Sequence, residues 1–247
     1  MARTSHVPPP SPVCVECGRR AAAIIQTLHP GNVRLARCDG CGCCVDKYLE
    51  RDSFLILLDV LLHRPSAYRH VLCNRTEALG TGPGRLKSLA LVVICDAYLK
   101  RAIEASLFGS CSWDLPLTHL LIGFGWPLLS ALLEFLAFSA TASGVACALL
   151  ALDLEWQSTA GALLLSSVGK AFVLLHMIWE YPLAFAAAIE LFVLTCQAVA
   201  LSVHLQCNVE VVVRTLVVAV AARVGLSMAL LWASRTLVVT CSQGIGS

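Results

Sequence analysis

Two short cysteine pairs, CVEC at Cys14–Cys17 and CDGC at Cys38–Cys41, decide the fold of the N-terminal part of this chain. Two residues between the cysteines of a pair allow a tight turn that directs both sulfurs toward one point, and twenty residues separate the pairs. This spacing is that of a four-thiolate zinc ribbon. A complete tetrahedral shell leaves no position for water, so a Zn²⁺ held there is structural rather than catalytic. The predicted ligands are Cys14, Cys17, Cys38 and Cys41.

Other uses of these thiols are less well supported by the sequence. A redox Cys-x-x-Cys pair would be expected within a βαβ pattern, which does not surround these residues, and a RING-type site would need eight ligands. Cys43 and Cys44 directly follow the second pair. They are interpreted as spare ligands, as acylated thiols near a membrane or as inert neighbours, and the pattern favours the last of these.

The overall composition indicates a membrane protein. Of 247 residues, 57% are hydrophobic and only 14% are charged, whereas a soluble domain carries about a quarter charged residues. Residues 1–87 contain twelve of the eighteen Lys and Arg and seven of the sixteen acids. The positive-inside tendency therefore predicts a cytosolic N-terminus, and the polar, proline-rich start predicts no signal peptide. Clustered cysteines in that reducing compartment favour a metal site over disulfides.

Four segments are predicted along the chain: a disordered start (1–13), a zinc module (14–53), an interfacial helix and loop (54–85) and a transmembrane bundle (86–240). The apolar run Phe54–Leu62 follows Asp52 and Ser53, either of which can cap a helix. Nine residues rise only about 14 Å, half of a bilayer core. This helix is expected to lie at the membrane surface or to cover the metal module.

The rest of the chain predicts an all-α, multispan membrane bundle of four spans, with a fifth possible. Pro127 is expected to break the long apolar stretch 115–152 into a short lead-in helix and a true crossing. The first candidate is the weakest, since Asp96, Lys100 and Arg101 interrupt it. The candidate spans are Leu86–Ala105, Leu128–Leu150, Ala162–Trp179, Leu183–Leu205 and Val211–Ala233.

A longer series of motifs resembles a known family. The cysteine pairs are followed by VDKY at Val45–Tyr48, a short apolar helix and AYRH at Ala67–His70, and the later segments ICDAYLK, LLLSSVGK, IWE and ELFVLTCQA extend the likeness to about residue 210. On these residues the chain resembles the Arv family. The resemblance implies an endoplasmic-reticulum membrane protein that supports sterol distribution, sphingolipid balance and synthesis of glycosylphosphatidylinositol (GPI) anchors. The motif residues are Asp46, Lys47, Tyr48, Glu50, Asp52, Tyr68, Arg69, His70 and Asn74.

Two interpretations of these motif residues are open. In the first, Tyr48 and Tyr68 lie at headgroup depth, while basic side chains meet lipid phosphates. Those basic residues are Lys47, Arg64, Arg69 and His70. In the second, the same residues form a solvated face with aromatic contacts to the core. A helical Lys47–Glu50 pair would add only a few tenths of a kcal/mol, so stability alone explains the charges poorly.

Ionisable residues inside the apolar region are more informative, because each costs on the order of 2.5 to 3.5 kcal/mol at the bilayer centre. They should point into the bundle, where they either pair and hold the helices together or line a polar conduit for lipid. Glu134 with Lys170, and Glu190 with Arg223, are the predicted pairs. The candidate intramembrane residues are Asp96, Glu134, Lys170, His176, Glu180 and Glu190, with Arg214 and Arg223 beside them.

Three classes of function remain to be separated. The leading hypothesis is a non-catalytic protein that handles or presents membrane lipids (sterol, sphingolipid and GPI intermediates), with subunits of a GPI-synthesis transferase as further partners and no role for nucleic acid. The second is a membrane-embedded acyl- or glycosyltransferase with His176 or Glu180 as base, although no catalytic motif accompanies them. The third is an ion-coupled transporter, which the lack of repeated halves disfavours.

Overall fold

The computed structural model describes residues 11–29, 32–75, 83–108, 117–151, 155–179 and 183–244. The chain divides into two compact units, Met1–Gly80 and Thr81–Ser247. The prediction of a mostly helical protein with an N-terminal cysteine cluster is confirmed.

A β-hairpin connects the two cysteine pairs of the first unit. Its strands, β1 (Ile25–His29) and β2 (Asn32–Leu35), are antiparallel, and Gln26 lies opposite Arg34. The first ten residues of the predicted disordered start lie outside the described part of the chain. Val13, the last residue of that segment, belongs to the fold, because it is buried and forms an isolated β-bridge with Arg20.

Four short helical elements follow the second cysteine pair. Asp46 caps the first, since its side chain accepts a hydrogen bond from the backbone N–H of Tyr48. Asp52 precedes the second and was predicted as a possible cap, but its side chain makes no capping hydrogen bond. The elements are a 3₁₀ helix (Lys47–Glu50), α1 (Ser53–Leu61), α2 (Pro65–Arg69) and a π-helical turn (His70–Asn74).

Helix α1 has a polar anchor on one side and an apolar face on the other. Ile56, Asp59 and Val60 are buried in the unit. The opposite face is exposed to an unusual degree for large apolar side chains, with Phe54 at 67% and Leu62 at 65%. We call this surface the α1 apolar face; its residues are Phe54, Leu55, Leu57, Leu58 and Leu62.

The second unit is entirely helical in its described part. Among the described helices, four segments are long and apolar enough to cross a membrane: Gly125–Leu150, Trp156–Leu175, Ala184–Leu205 and Val209–Ala233. The weakest candidate of the sequence, Leu86–Ala105, lies within a helix that is not among these four. The elements are α3 (Pro83–Phe108), α4 (Leu117–Leu150), α5 (Trp156–Ser166), a 3₁₀ helix (Ser167–Phe172), α6 (Val173–Trp179), α7 (Leu183–Leu205) and α8 (Val209–Gly244).

The predicted break at Pro127 is wrong, because α4 continues through this residue. A proline in a helix removes one backbone donor and brings its ring against the preceding turn. Membrane helices tolerate proline where neighbouring side chains and local adjustments of the helix satisfy the freed backbone carbonyl.

Small side chains bring the membrane helices close together. Ala142 and Ala146 of α4 are fully buried, and they belong to a core cluster with Leu201 of α7 and Leu216 of α8. Gly169 of the 3₁₀ helix lies so near α7 that an added Cβ would meet Phe192 at 2.9 Å. These contacts hold the charged residues described below inside the bundle.

Candidate metal centre and buried polar clusters

The four predicted cysteines converge at one point of the first unit. Their sulfurs all lie within 4.8 Å of one another, with 3.7 Å between Cys14 and Cys41 and 3.6 Å between Cys17 and Cys38. A tetrahedron with Zn–S bonds of about 2.3 Å has edges of about 3.8 Å, so the sulfur positions suit a single ion. The spacing is much too long for disulfides, and all four cysteines are free.

The two Cys-x-x-Cys turns, which we call the first and second knuckles, have the same backbone geometry. In each, the N–H of the first cysteine donates to the carbonyl five residues later: Cys14 to Arg19 and Cys38 to Cys43, both at 2.8 Å. The carbonyl of each first cysteine also accepts from a glycine, Gly18 or Gly42. These glycines have φ angles of +77° and +72°, which other residues rarely adopt. The sequence therefore contains the same metal-binding turn at two places.

The environment of the thiols differs from one cysteine to the next. Backbone N–H groups of Gly40 and Cys41 lower the pKa of Cys38 to about 7. Burial raises the pKa of Cys14. The N–H of Cys43 opposes a rise at Cys41, but burial and the neighbouring thiols together raise the pKa of Cys41 to about 12. A metal ion that binds here must therefore displace protons from Cys14 and Cys41.

Cys43 and Cys44 do not belong to the group of four sulfurs, and both are exposed. The carbonyl of Cys43 closes the second knuckle, and Cys44 forms an isolated β-bridge with Arg37. Their backbone atoms thus have a structural role.

Arg69 and Asn74, late in the first unit, form hydrogen bonds to the backbone in and beside the first knuckle. Arg69 donates from Nη1 to the carbonyl oxygens of Val15 and Glu16 at 2.8 and 2.9 Å, directly inside the CVEC turn. Asn74 binds the backbone of Val13, the residue before Cys14. These motif residues therefore hold the shape of the metal-binding turn from more than fifty residues away.

Asp46 is the centre of a buried polar network. It is fully buried and accepts hydrogen bonds from His70 Nδ1 at 2.7 Å, Asn74 Nδ2 at 2.7 Å and the Tyr48 backbone N–H at 3.0 Å. Burial alone would raise the pKa of Asp46, but the bonds from His70 and Asn74 keep it below its usual value. The carboxylate is ionised at neutral pH and joins the 3₁₀ helix to the π-helical turn.

For Tyr48 and Tyr68 the structure favours the second interpretation, contacts to the core, because their exposed fractions are 1% and 0%. Tyr48 Oη donates to Asp59 at 2.9 Å inside the unit, so burial satisfies its polar end. His70 is also buried, and Arg69 is occupied by the backbone carbonyls. The contacts of these four residues therefore lie within the module.

The remaining charged motif residues lie at the surface. Lys47 bonds Glu16 at 2.5 Å, so the predicted pair with Glu50 is replaced by one that links the 3₁₀ helix to the first knuckle. Glu50 and Asp52 are exposed. Arg64 pairs with Asp59 at 3.2 Å.

A second polar cluster lies inside the membrane unit. Lys170 Nζ bonds Asp96 Oδ2 at 2.6 Å and pairs with Glu190 at 3.5 Å. Arg223 of α8 reaches Glu190 at 3.2 Å, Asp96 at 3.4 Å and Glu134 at 3.6 Å. We call the following six residues the membrane charge cluster: Asp96, Lys100, Glu134, Lys170, Glu190 and Arg223.

The structure contains one of the two predicted pairs. Glu190 and Arg223 are paired. Glu134 is not paired with Lys170 as predicted; Lys100 bonds Glu134 at 2.7 Å instead. Lys100 was regarded only as an interruption of a span, whereas helix α3 places it beside α4. The side chain of His176 and the whole of Glu180 lie outside the described residues.

Comparison with known proteins identifies the family. The model of the Arv1-like family matches residues 13–201. A Dictyostelium discoideum protein named "Protein arv1 homolog" is 30% identical over 217 residues, which cover 78% of this chain and 84% of that protein. The Arabidopsis thaliana "Protein ARV 1" is 30% identical, covering 77% of each chain, and the mouse "Protein ARV1" is 29% identical, covering 79% of this chain and 74% of its own.

The chain belongs to the Arv1-like family. No solved structure matches it. Membership supports a role in lipid homeostasis at the level of the family, and the four apolar helices indicate a multi-pass membrane protein. These Arv1 relatives are named as proteins, not as enzymes. The matched range includes the cysteine pairs and five of the six members of the membrane charge cluster, but ends before Arg223.

One buried residue of this family member was not singled out in the sequence. Asp59 is buried and accepts the Tyr48 hydroxyl, with Arg51 at 3.3 Å and Arg64 at 3.2 Å. The signal was present, because Asp59 is the single acid within the apolar run FLILLDVLL. A lone carboxylate in such a run needs polar partners, and those partners come from the segments on either side of α1.

Proposed function

We propose that this Arv1-like protein is a non-catalytic lipid-handling protein of the endoplasmic-reticulum membrane. It moves or presents polar lipid intermediates, and so supports sterol transport, sphingolipid homeostasis and GPI-anchor synthesis. The observation that supports this proposal is the membrane charge cluster. Its polar groups lie among apolar helices, where a lipid headgroup would otherwise find no polar partner.

Keeping the charged residues of the cluster in a membrane costs free energy, which a functional role would explain. Each ionisable group costs on the order of 2.5 to 3.5 kcal/mol at the bilayer centre on insertion scales, and pairing offsets only part of that cost. Here three acids face three bases, so the charges balance. A balanced set can exchange its internal pairs for pairs with a headgroup while the total charge stays the same.

The cluster is closed in this conformation. The space bounded by Asp96, Lys170 and Gln197 measures about 10 Å³, room for about one water molecule. Gln197 Oε1, which is buried there, has no hydrogen-bond partner among the described residues. A headgroup therefore enters only when Arg223 and α8 separate from the other helices. Exchange of ion pairs supplies the polar contacts in that open state.

The first unit acts as a zinc-stabilised cap on the cytosolic side. The four thiolates favour Zn²⁺, because soft sulfur ligands in a closed tetrahedral set are typical of structural zinc. The α1 apolar face gives the cap an apolar surface that the bilayer covers. In this arrangement the cap also presents lipid to membrane partners such as the subunits of a GPI-synthesis transferase.

Reconstitution into vesicles tests the proposal. Purified full-length protein should move fluorescent sterol or glycolipid between membranes without altering the lipid chemically. Arg223→Met should reduce the rate about tenfold or more, because Arg223 contacts all three acids of the cluster. Arg214→Met is the matched control, since Arg214 lies on the same helix but is exposed and pairs only locally with Glu210.

Three results would reject this function. They are a covalently changed lipid, transport that requires a proton or sodium gradient, and an equal loss of rate in both arginine variants. Size-exclusion profiles and zinc content of the variants confirm that a loss of rate is not caused by misfolding.

A further inference from the structure

An open cavity in the first unit lies between the 3₁₀ helix, the start of α1 and the π-helical turn. Its volume is about 290 Å³, near the lower end of the range for small-ligand sites. The cavity lies outside the sulfur cluster. Its wall includes Arg51, Ser53, His70 and Arg75.

The charge of the wall favours an anion. Arg51 and Arg75 both line the cavity, and Arg75 is exposed at its edge. The one acid of the wall, Asp46, is fully buried, and both of its oxygens already accept hydrogen bonds. Its charge is therefore compensated within the wall. Arg51 Nη1 pairs with Asp59 at 3.3 Å, but its guanidinium has further N–H donors, and with Arg75 it can attract a negative ligand.

His70 supplies an unused hydrogen-bonding atom. Its ring is 2% exposed and Nδ1 donates to Asp46, but Nε2 has no hydrogen-bond partner among the residues that the structure describes. A buried polar atom without a partner costs about 1–3 kcal/mol, and His70 is one of the residues that line the cavity. Nε2 can donate to an anionic oxygen when the ring carries both protons, or accept from a phosphate hydroxyl when it carries one.

We propose that this cavity binds a phosphate group. Arg51 and Arg75 provide the forked N–H donors that match phosphate oxygens, Ser53 provides a hydroxyl, and His70 Nε2 gains its missing partner. Phosphate is the chemistry that phospholipid headgroups and free inorganic phosphate share. The cavity opens beside the first turn of α1, where Phe54 and Leu55 of the α1 apolar face begin. A lipid bound by its phosphate would lie with its tails along this face.

Calorimetric titration of the full-length protein in neutral detergent and phosphate-free buffer tests the site. The probes are dihexanoyl phosphatidic acid and inorganic phosphate, in separate titrations. Arg51→Gln and Arg75→Gln should each weaken phosphatidic acid binding roughly tenfold. Arg64→Gln is the matched control, because Arg64 also pairs with Asp59 but does not line the cavity.

The two probes distinguish the source of the phosphate. Tighter binding of phosphatidic acid identifies a lipid headgroup, and equal binding identifies free phosphate as the ligand of the same site. The proposal is overturned if neither probe binds, or if the control loses as much affinity as the two cavity variants. His70→Gln removes the whole imidazole ring, including Nε2. If this variant does not fold, Arg51→Gln and Arg75→Gln remain the decisive tests.

This inference does not depend on the proposed function of the membrane charge cluster. If the protein moves lipid but binds no phosphate, only the phosphate-binding proposal is rejected. If it binds phosphate but moves no lipid, only the proposed lipid-handling function is rejected.

Discussion

Val13 and Asn74 exchange two hydrogen bonds across 61 residues of sequence: Val13 N–H donates to Asn74 Oδ1 at 2.8 Å, and Asn74 Nδ2 donates to the Val13 carbonyl at 2.9 Å. The side-chain amide thereby replaces a neighbouring strand. Because its second N–H binds Asp46, the same side chain connects the first cysteine knuckle to the buried network. The metal-binding turn and the helical half of the unit are therefore one structure.

Asn74→Ala removes three hydrogen bonds, one of them to a buried carboxylate. We expect the free energy of local opening around Val13–Val15 to fall by about 2 kcal/mol, since the two bonds to Val13 contribute roughly 1 kcal/mol each. Hydrogen exchange of this segment, followed by mass spectrometry on the full-length protein, measures the effect. Asn32→Ala in the exposed hairpin is the control and should leave the exchange unchanged. Equal protection in both variants would contradict the bracing role.

The metal centre predicts one tightly bound zinc ion per chain. Cys14→Ser or Cys41→Ser should abolish binding, because three thiolates leave the tetrahedral shell open. Cys43→Ser and Cys44→Ser should retain the ion, and elemental analysis of purified protein measures its content. Chelation should raise hydrogen exchange throughout the described part of residues 11–75 and leave the membrane helices unchanged. Loss of zinc in the Cys43 variant would show that the ligand set is wrong.

Zinc affinity should depend more steeply on pH below 7 than above it. Above pH 7 Cys38 is already ionised, so zinc displaces protons from the thiols of raised pKa, Cys14 and Cys41. Below pH 7 Cys38 is protonated as well, and one further proton must leave. The apparent Kd should therefore rise by about an extra tenfold for each pH unit below 7. Competition with a chromophoric chelator between pH 6 and 8 measures this slope, and a constant slope would contradict it.

Lys170→Met should destabilise the membrane unit by about 3 kcal/mol, because the buried Asp96 and the half-buried Glu190 both lose this cation. The double variant Asp96→Asn/Lys170→Met should recover part of this loss. Thermal unfolding in detergent, followed by circular dichroism, measures both. Lys100→Met provides a comparison, since Lys100 is more exposed and should cost less. If the double variant is no more stable than the single one, the buried pair is not the source of the effect.

The α1 apolar face should contact lipid when the protein is in vesicles. A photoactivatable diazirine probe that partitions into the bilayer should modify the peptide containing Phe54 and Leu62. Val33 of the hairpin is the internal control, because it is similarly exposed, at 62%, but lies on another element. Equal modification of both peptides, or of neither, would show that α1 does not enter the membrane.

Two features of this protein, the metal-binding turns and the candidate spans, depend only on residues that are close together in the sequence. The Cys-x-x-Cys spacing sets the turn geometry within five residues, and the lengths of the apolar runs set four candidate spans, so both could be predicted without tertiary information. Pro127 was the exception, because whether a helix continues through proline depends on the groups around it.

The tertiary structure decided which polar residues meet. VDKY and AYRH are compatible with a lipid-facing surface or with a core, and only the packing of the first 3₁₀ helix against α1 and the π-helical turn buried Tyr48, Tyr68 and His70. Likewise, Lys170 could have paired with either Glu134 or Asp96, 74 residues distant. Sequence patterns report the preferences of neighbouring residues, whereas partners so far apart are chosen by how whole helices pack.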